Sequence, residues 1–295
     1  MVAGSSHPEP RPLSDYHGGV TSGVVILLPV FNDWNAVQLL LGDIDAVLPA
    51  EILIVDDGST ESPPPGFPGR KFDNIRSVDV LHLRRNLGHQ RAIAIGLVHV
   101  YQKIPCRAVV VMDADGEDRP QDIPVLLDRF SKEQERKVIF AARARRLEKP
   151  LFRLLYHAYR WIHRAITGDA VRVGNFSVIP FGKLSQLVVV PEIWNHYAAS
   201  VIRTRVGFGT VPIARGRRLS GHSKMNFTGL LLHGLSAFFV YGEVIGARLL
   251  TAIALLLAVA GGAVGTGLLL RFGRNWVIPE WSVYVAGVFV IILLQ

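Results

Sequence analysis

Two carboxylates, Asp113 and Asp115, stand at i and i+2 directly after the apolar run Ala108-Val109-Val110-Val111-Met112, within the cluster Asp113-Ala114-Asp115-Gly116-Glu117-Asp118. A buried strand that ends in such a pair can hold a divalent ion against a diphosphate, because hard cations take carboxylate oxygens. A calcium loop is excluded on spacing. Position 118, where that loop needs its turn glycine, is Asp, and no Glu stands six residues further on. There is no Walker loop and no strand-anchored Gly-x-Gly-x-x-Gly, so a glycine cradle is not the phosphate device.

The pair needs a scaffold, and the flanking sequence predicts one. Val24 to Val30 is a continuous apolar run and Glu51 to Val55 is apolar after its first residue; they are closed by Phe31-Asn32-Asp33 and by Asp56-Asp57-Gly58-Ser59. They read as strands buried on both faces, with a helix over Asn35 to Val47 between them. A loop over Thr60 to Asn74, a short strand at Val78 to Leu83, a helix from Asn86 to about Tyr101 and the Ala108 to Met112 strand follow. A helix at Pro124 to Phe130 and a strand at Lys137 to Ala142, ending at Arg143, complete the series. Alternating strands and helices predict an α/β fold with a mostly parallel sheet, whose ligands lie beyond the carboxyl ends of the strands. Asn32-Asp33, Asp56-Asp57 and Asp113-Ala114-Asp115 all fall there. Polar residues also end strands as solvated turns, and either reading suits any one of the three taken alone.

The chain changes character along its 295 residues: the carboxylates lie at or before Glu192, apart from Glu243 and Glu280. Leu249 to Leu270 has no charge in 22 residues, long enough at about 1.5 Å per residue to cross a hydrocarbon core of roughly 30 Å. Trp281 to Leu294 begins a second span and ends too soon to cross, so either the chain is truncated or that helix is incomplete. Residues 225 to 247 are broken by Gly, His, Ser and Glu and read as helices lying in the interface. The expected division is a disordered lead-in over 1–22, a cytosolic domain over 23–222, interfacial helices over 223–247 and a transmembrane hairpin over 248–295. The formal charge of +8 comes largely from basic residues close before the apolar tail, among them Arg215, Arg217, Arg218 and Lys224, which suits anionic lipid rather than nucleic acid. Cys106 is the only cysteine, which excludes an intrachain disulfide and a thiolate metal site.

Pro29-Val30-Phe31-Asn32, Val55-Asp56-Asp57-Gly58-Ser59, Arg85-Asn86-Leu87-Gly88-His89-Gln90 and Met112-Asp113-Ala114-Asp115-Gly116-Glu117-Asp118-Arg119-Pro120, in that order and spacing, resemble the family 2 glycosyltransferases. More narrowly they resemble the polyprenyl-phosphate glycosyltransferases related to dolichol-phosphate mannose synthase and the bacterial undecaprenyl-phosphate enzymes. The resemblance implies a GT-A fold and an inverting transfer of a hexose from a nucleotide-diphosphate sugar of the UDP-glucose or GDP-mannose type. The implied acceptor is undecaprenyl or dolichyl phosphate, at the cytoplasmic face of the cell membrane, by a multi-pass and often homo-oligomeric protein.

By that resemblance Pro29, Asn32, Asp56 and Asp57, with Asn86, Gly88, Gln90, Asp113 and Ala114, bind the nucleotide. Asp113 and Asp115 hold Mg²⁺ or Mn²⁺, and Asp113, Asp115 and Glu117 form the catalytic group. Glu117 replaces the family's usual Gln, and Asp33 its frequent Glu, which leaves the sugar open. Arg143, Arg217, Ser223 and Lys224 are the candidates for the lipid phosphate and diphosphate, since a guanidinium fork matches phosphate. Arg145, Arg146, Arg160 and Arg164 read better as a solvated basic helix. His157-Ala158-Tyr159-Arg160-Trp161 lacks the Gln of a processive synthase, and Asn175-Phe176-Ser177 is only a formal glycosylation sequon. A processive polysaccharide synthase and a catalytically inactive membrane partner are the alternatives.

Overall fold

Parallel pairing explains why β1 (Val24–Val30) is apolar at every position: it is buried along its whole length, between β2 (Ala50–Asp56) and β4 (Ala108–Val111). The computed structural model describes residues 23–69, 71–143, 173–214, 216–219 and 240–274, together with Tyr284, Gly287, Val288 and Ile291. The chain forms two compact units, one from Met1–Lys149 and Val171–Val240, the other from Pro150–Ala170 and Tyr241–Gln295.

In the first unit seven strands run in the order β3-β2-β1-β4-β6-β5-β7. β3 is Ile75–His82, β5 Val138–Arg143, β6 Ser177–Pro180 and β7 Phe208–Ile213. Four of the six pairings are parallel; β6 runs antiparallel to both β4 and β5. The expected α/β architecture is therefore present, with an antiparallel insertion. Strands β6 and β7 were not expected. β6 is only four residues long and ends in Pro180, and β7, FGTVPI, carries Gly and Pro that weaken any strand signal.

Helices cover both faces. On one, Trp34, Val37, Leu40, Leu41 and Ile44 of α1 (Trp34–Asp45) and Ile123, Leu126 and Phe130 of α3 (Ile123–Lys132) pack on Ile26, Leu28, Ile52, Ile54 and Val110. On the other, α2 (His89–Lys103), α4 (Phe181–Leu187) and α5 (Tyr197–Arg203) pack on Val25, Leu27, Leu53, Val55 and Val109. Alternate residues of each strand feed opposite cores, as the two-residue period of a strand demands. The chain passes from β1 to β2 and β3 on one side, then returns to β4 on the other. The crevice outside β1 and β4 is thus the topological switch point where α/β sheets take ligands.

In the second unit α6 (Gly242–Arg274) is one continuous helix of 33 residues. An 18-residue stretch within residues 242–267 has a mean hydropathy of 2.2, and this is the one helix among the described residues long and apolar enough to cross a membrane. Residues 242–247 belong to the same helix as those after Arg248, and no proline interrupts it. The lead-in over 1–22, the helix expected over Leu151 to Ile166, residues 223–239 and most of the second span lie outside the described residues.

Candidate active site

At the end of β1, Asn32 adopts φ +52° and directs its amide at the loop after β2. Its Oδ1 accepts from the N–H groups of Thr60 (2.8 Å) and Glu61 (3.1 Å), its Nδ2 donates to Thr60 Oγ1, and its own N–H donates to Ser59 Oγ. Asp56 Oδ1 accepts from the Ser59 N–H at 3.0 Å, and Oδ2 lies 2.9 Å from His82 Nδ1. Burial works against ionisation of Asp56, but the hydrogen bonds from Ser59 and His82 outweigh it and hold the carboxyl below its usual range.

Asp57 accepts from Leu87 N–H at 2.7 Å and from Gly88 N–H at 2.9 Å, one on each oxygen, and so clamps the loop that leads into α2. Burial raises its pKa in spite of both bonds. Gly58, between these contacts at φ +67°, has no room for a side chain: a Cβ would stand 2.4 Å from the Arg85 carbonyl carbon. Pro29 is buried within β1 and Ala114 beneath the acidic loop, so both shape the site through the backbone. Asn86 is exposed on the clamped loop. Gln90 donates through Nε2 to Asn175 Oδ1 and accepts through Oε1 from the Tyr197 N–H, tying the first turn of α2 to α5.

Beyond β4 the carboxylates face cations instead. Asp113 Oδ1 lies 3.1 Å from His89 Nε2, and Asn175 Nδ2 lies 2.9 Å from the same ring nitrogen. Burial lowers the His89 pKa, but the charge and hydrogen bond of Asp113, together with the charges of Asp118 and Asp115, outweigh it, so the net shift is upward. Asp115 Oδ2 receives Arg218 Nη2 at 2.6 Å, while its Oδ1 accepts from the Glu117 N–H. Residues 216–219 lie across this loop as a strap: Gly216 N–H donates to the Glu117 carbonyl and Leu219 N–H to that of Asp115. Leu219 rests on Gly116, whose φ is +82° and where a Cβ would come within 2.3 Å of Leu219 Cγ. Buried Asp118 accepts from the Asp113 N–H and holds the loop's shape.

Asp113, Asp115 and Glu117 stand together beyond β4. Arg218 is the residue on Asp115, and its neighbour Arg217 is exposed. His89 and Asn175 also belong to this cluster; the Gly88-His89-Gln90 motif and the residues before Ser177 were the signals for them. Arg143 ends β5, with its side chain outside the described atoms, as are Ser223 and Lys224. Glu117, Asp118 and Arg119 form one wall of a small cleft whose other walls include Ala141, Phe176 and Ile213.

The donor set suits a divalent ion of the Mg²⁺ or Mn²⁺ kind. Two hard carboxylates already draw positive side chains, and among the described residues no three His, Cys, Asp or Glu groups converge to close a metal cage. An ion there would keep positions open for phosphate oxygens.

Comparisons with known proteins agree with this geometry. Residues 25–184, more than half of the chain, match Glycosyl transferase family 2. The chain is 24% identical over 277 residues to an undecaprenyl-phosphate 4-deoxy-4-formamido-L-arabinose transferase of Erwinia tasmaniensis, covering 88% of this chain and 79% of that protein. It is 27% identical over 233 residues to the uncharacterized glycosyltransferase YkcC of Bacillus subtilis, covering 72% and 67%. In fold it is similar to glucosyl-3-phosphoglycerate synthase of Mycobacterium tuberculosis, solved with Mn²⁺ and UDP-glucose, at a TM-score of 0.55 and 13% identity over 81% of this chain and 85% of that one. The family match spans β1 to β6 and includes both aspartate pairs, and on that ground the chain belongs to glycosyltransferase family 2.

Proposed function

We propose that this protein transfers a hexose from a nucleotide-diphosphate sugar to a polyprenyl phosphate at the cytoplasmic face of a membrane, with inversion at the anomeric carbon. The observation that carries the reading is the arrangement at the end of β4, where Asp113 and Asp115 stand at the switch point with His89 and Arg218 against them. The undecaprenyl-phosphate transferases among its relatives, and an apolar helix of membrane-spanning length, support a lipid acceptor.

Asp113 and Asp115 would hold Mg²⁺ or Mn²⁺, which supplies Lewis-acid stabilisation of the departing diphosphate when bound. The remaining work is positioning. A polyprenyl phosphate carries about −1.5 to −2 charge near neutrality, by analogy with other phosphomonoesters, and attacks without a general base. Arg218 is placed to answer the charge that develops on the leaving diphosphate, while Glu117, on the wall of the cleft, orients sugar hydroxyls. Arg143, Arg217, Ser223 and Lys224 are proposed for the lipid phosphate and diphosphate, and α6 is proposed to anchor the protein in the membrane that carries the lipid.

Purified full-length protein in detergent, incubated with radiolabelled UDP- and GDP-sugars, Mn²⁺ or Mg²⁺ and undecaprenyl or dolichyl phosphate, should give an organic-extractable labelled glycolipid. Label appearing only in free sugar, or in polymer, would overturn the reading.

A further inference from the structure

The imidazole of His82 stands at the carboxyl edge of β3, in register with Asp56 of β2, which is itself in register with Val30 at the end of β1. The three positions form one row along the edge where the proposed nucleotide lies. Asp56 is the buried member, its side chain 10% exposed, whereas the His82 side chain is 61% exposed. Of the two, it is the imidazole that meets solvent. Phe31, next along the chain from Val30, is also exposed.

The hydrogen bond from His82 fixes more than its position. Nδ1 lies 2.9 Å from Asp56 Oδ2, and Asp56 is held ionised by its Ser59 and His82 contacts. A ring nitrogen that faces a carboxylate carries the proton, so Nε2 of the neutral ring is a lone pair with no hydrogen. The Leu83 N–H donates to the Asp56 carbonyl at 2.9 Å, which locks the two strand ends together and holds the ring's base in place. The edge therefore presents an oriented hydrogen-bond acceptor.

We infer that His82, oriented by Asp56, is a specificity-determining residue that reads the nucleobase of the donor and selects bases whose ring nitrogen on the pairing edge carries a hydrogen. This rests on the nucleotide-sugar reading of the site. Uracil (N3–H) and guanine (N1–H) present a donor there; cytosine (N3) and adenine (N1) present a lone pair, which would face the Nε2 lone pair unmatched. Sites built to hydrogen-bond a substrate group discriminate strongly against analogues that leave a polar atom unpaired.

Equilibrium binding of UDP, CDP, GDP and ADP to the full-length protein in Mn²⁺ tests this, with inorganic pyrophosphate as a base-free control. The size-matched comparisons are UDP against CDP and GDP against ADP. The natural protein should favour the keto base of at least one pair by about tenfold or more, a factor in the range of one well-placed hydrogen bond. His82→Ala should bring that pair to within about threefold and leave pyrophosphate affinity unchanged, with a thermal midpoint lowered only by the loss of the one hydrogen bond to Asp56. His82→Gln, whose side-chain carbonyl reaches the place of Nε2, should retain part of the preference. An unaltered ratio in His82→Ala, or no keto preference in the natural protein, would overturn the role of His82 and leave the donor reading standing. Failure of the natural protein to bind any of the four diphosphates would overturn both.

Discussion

The aspartates after β2 and after β4 end neighbouring parts of one sheet, yet they meet different partners. Asp56 and Asp57 are engaged by backbone N–H groups and by His82, and their bonds build two loops. Asp113 and Asp115 each hold a cationic or cation-forming side chain, His89 or Arg218, that arrives from elsewhere in the chain. Backbone partners cannot be exchanged without unfolding the loop, whereas a guanidinium can give way to an ion or follow a diphosphate. We propose that the first pair serves mainly to build the loops and the second to do the chemistry. Mutations should separate the two, the second pair changing turnover and the first changing stability.

The largest effect is expected at Asp115. Asp115→Asn keeps the shape and removes the charge that would hold a divalent ion, so glycolipid formation should fall by about two to three orders of magnitude, the several kcal/mol that such stabilisation supplies. The urea midpoint should stay close to that of the natural protein. Full activity in this variant with lipid phosphate and metal present would break the assignment. Next comes Arg218→Met, which retains packing volume and loses the guanidinium. Turnover should fall by about ten- to a hundredfold, in the range of one lost charged hydrogen bond. Mn²⁺ binding, followed by its paramagnetic signal, should tighten because Asp115 has lost a competing cation. Weaker Mn²⁺ binding would mean that Arg218 organises the ion site and does not compete for it.

Asp57→Asn should act on the other side of the comparison. An amide accepts from one of Leu87 and Gly88 and turns its own donor toward the other, leaving a part-buried N–H unmatched at a cost of about 1–3 kcal/mol. Urea denaturation should show that loss, and turnover per folded molecule should change far less than in Asp115→Asn. A stable but inactive Asp57→Asn would move Asp57 from scaffold to apparatus.

How far these roles were legible depended on the range of the interaction. Strands β1, β2 and β4 are apolar runs, β2 after Glu51, that stop at Asn or Asp, a pattern that local sequence carries in full. The antiparallel β6 is four residues whose pairing with β4 and β5 depends on a chain return from far along the sequence. Within the site, the motif around Asp113 and Asp115 pointed to the right carboxylates, but their partners are long-range: Arg218 is 103 residues from Asp115 and Asn175 is 86 from His89. Which of the neighbours Arg217 and Arg218 meets Asp115 is set by the tertiary contacts of the strap, which the local sequence does not carry. The bonds of Asp57 were equally hidden, since they reach backbone groups 30 and 31 residues away.

The smallest effect tests the strap itself. Gly116 sits at φ +82°, where any other residue is strained, and a methyl group there would meet Leu219 Cγ at 2.3 Å. At Gly58 the added carbon would meet main chain, which cannot yield; at Gly116 it meets Leu219 at Cγ, Cδ1 and Cβ, so Leu219 has to shift with the strap. Gly116→Ala should therefore cost about 1 kcal/mol of stability from backbone strain, plus the displacement of Leu219. Its larger consequence should be a shifted Leu219, hence a displaced Arg218 and a fall in turnover of about three- to tenfold, with the separable contribution of Leu219 read from a double-mutant cycle. Leu219→Ala makes room for the methyl group. If the strap acts through this contact, the Gly116→Ala, Leu219→Ala protein should be more active than the product of the two single effects allows, while its stability still shows the backbone strain. Simple additivity in turnover would mean that Leu219 covers the loop without guiding Arg218, and the contrast between the two aspartate pairs would then rest on the ion pair alone.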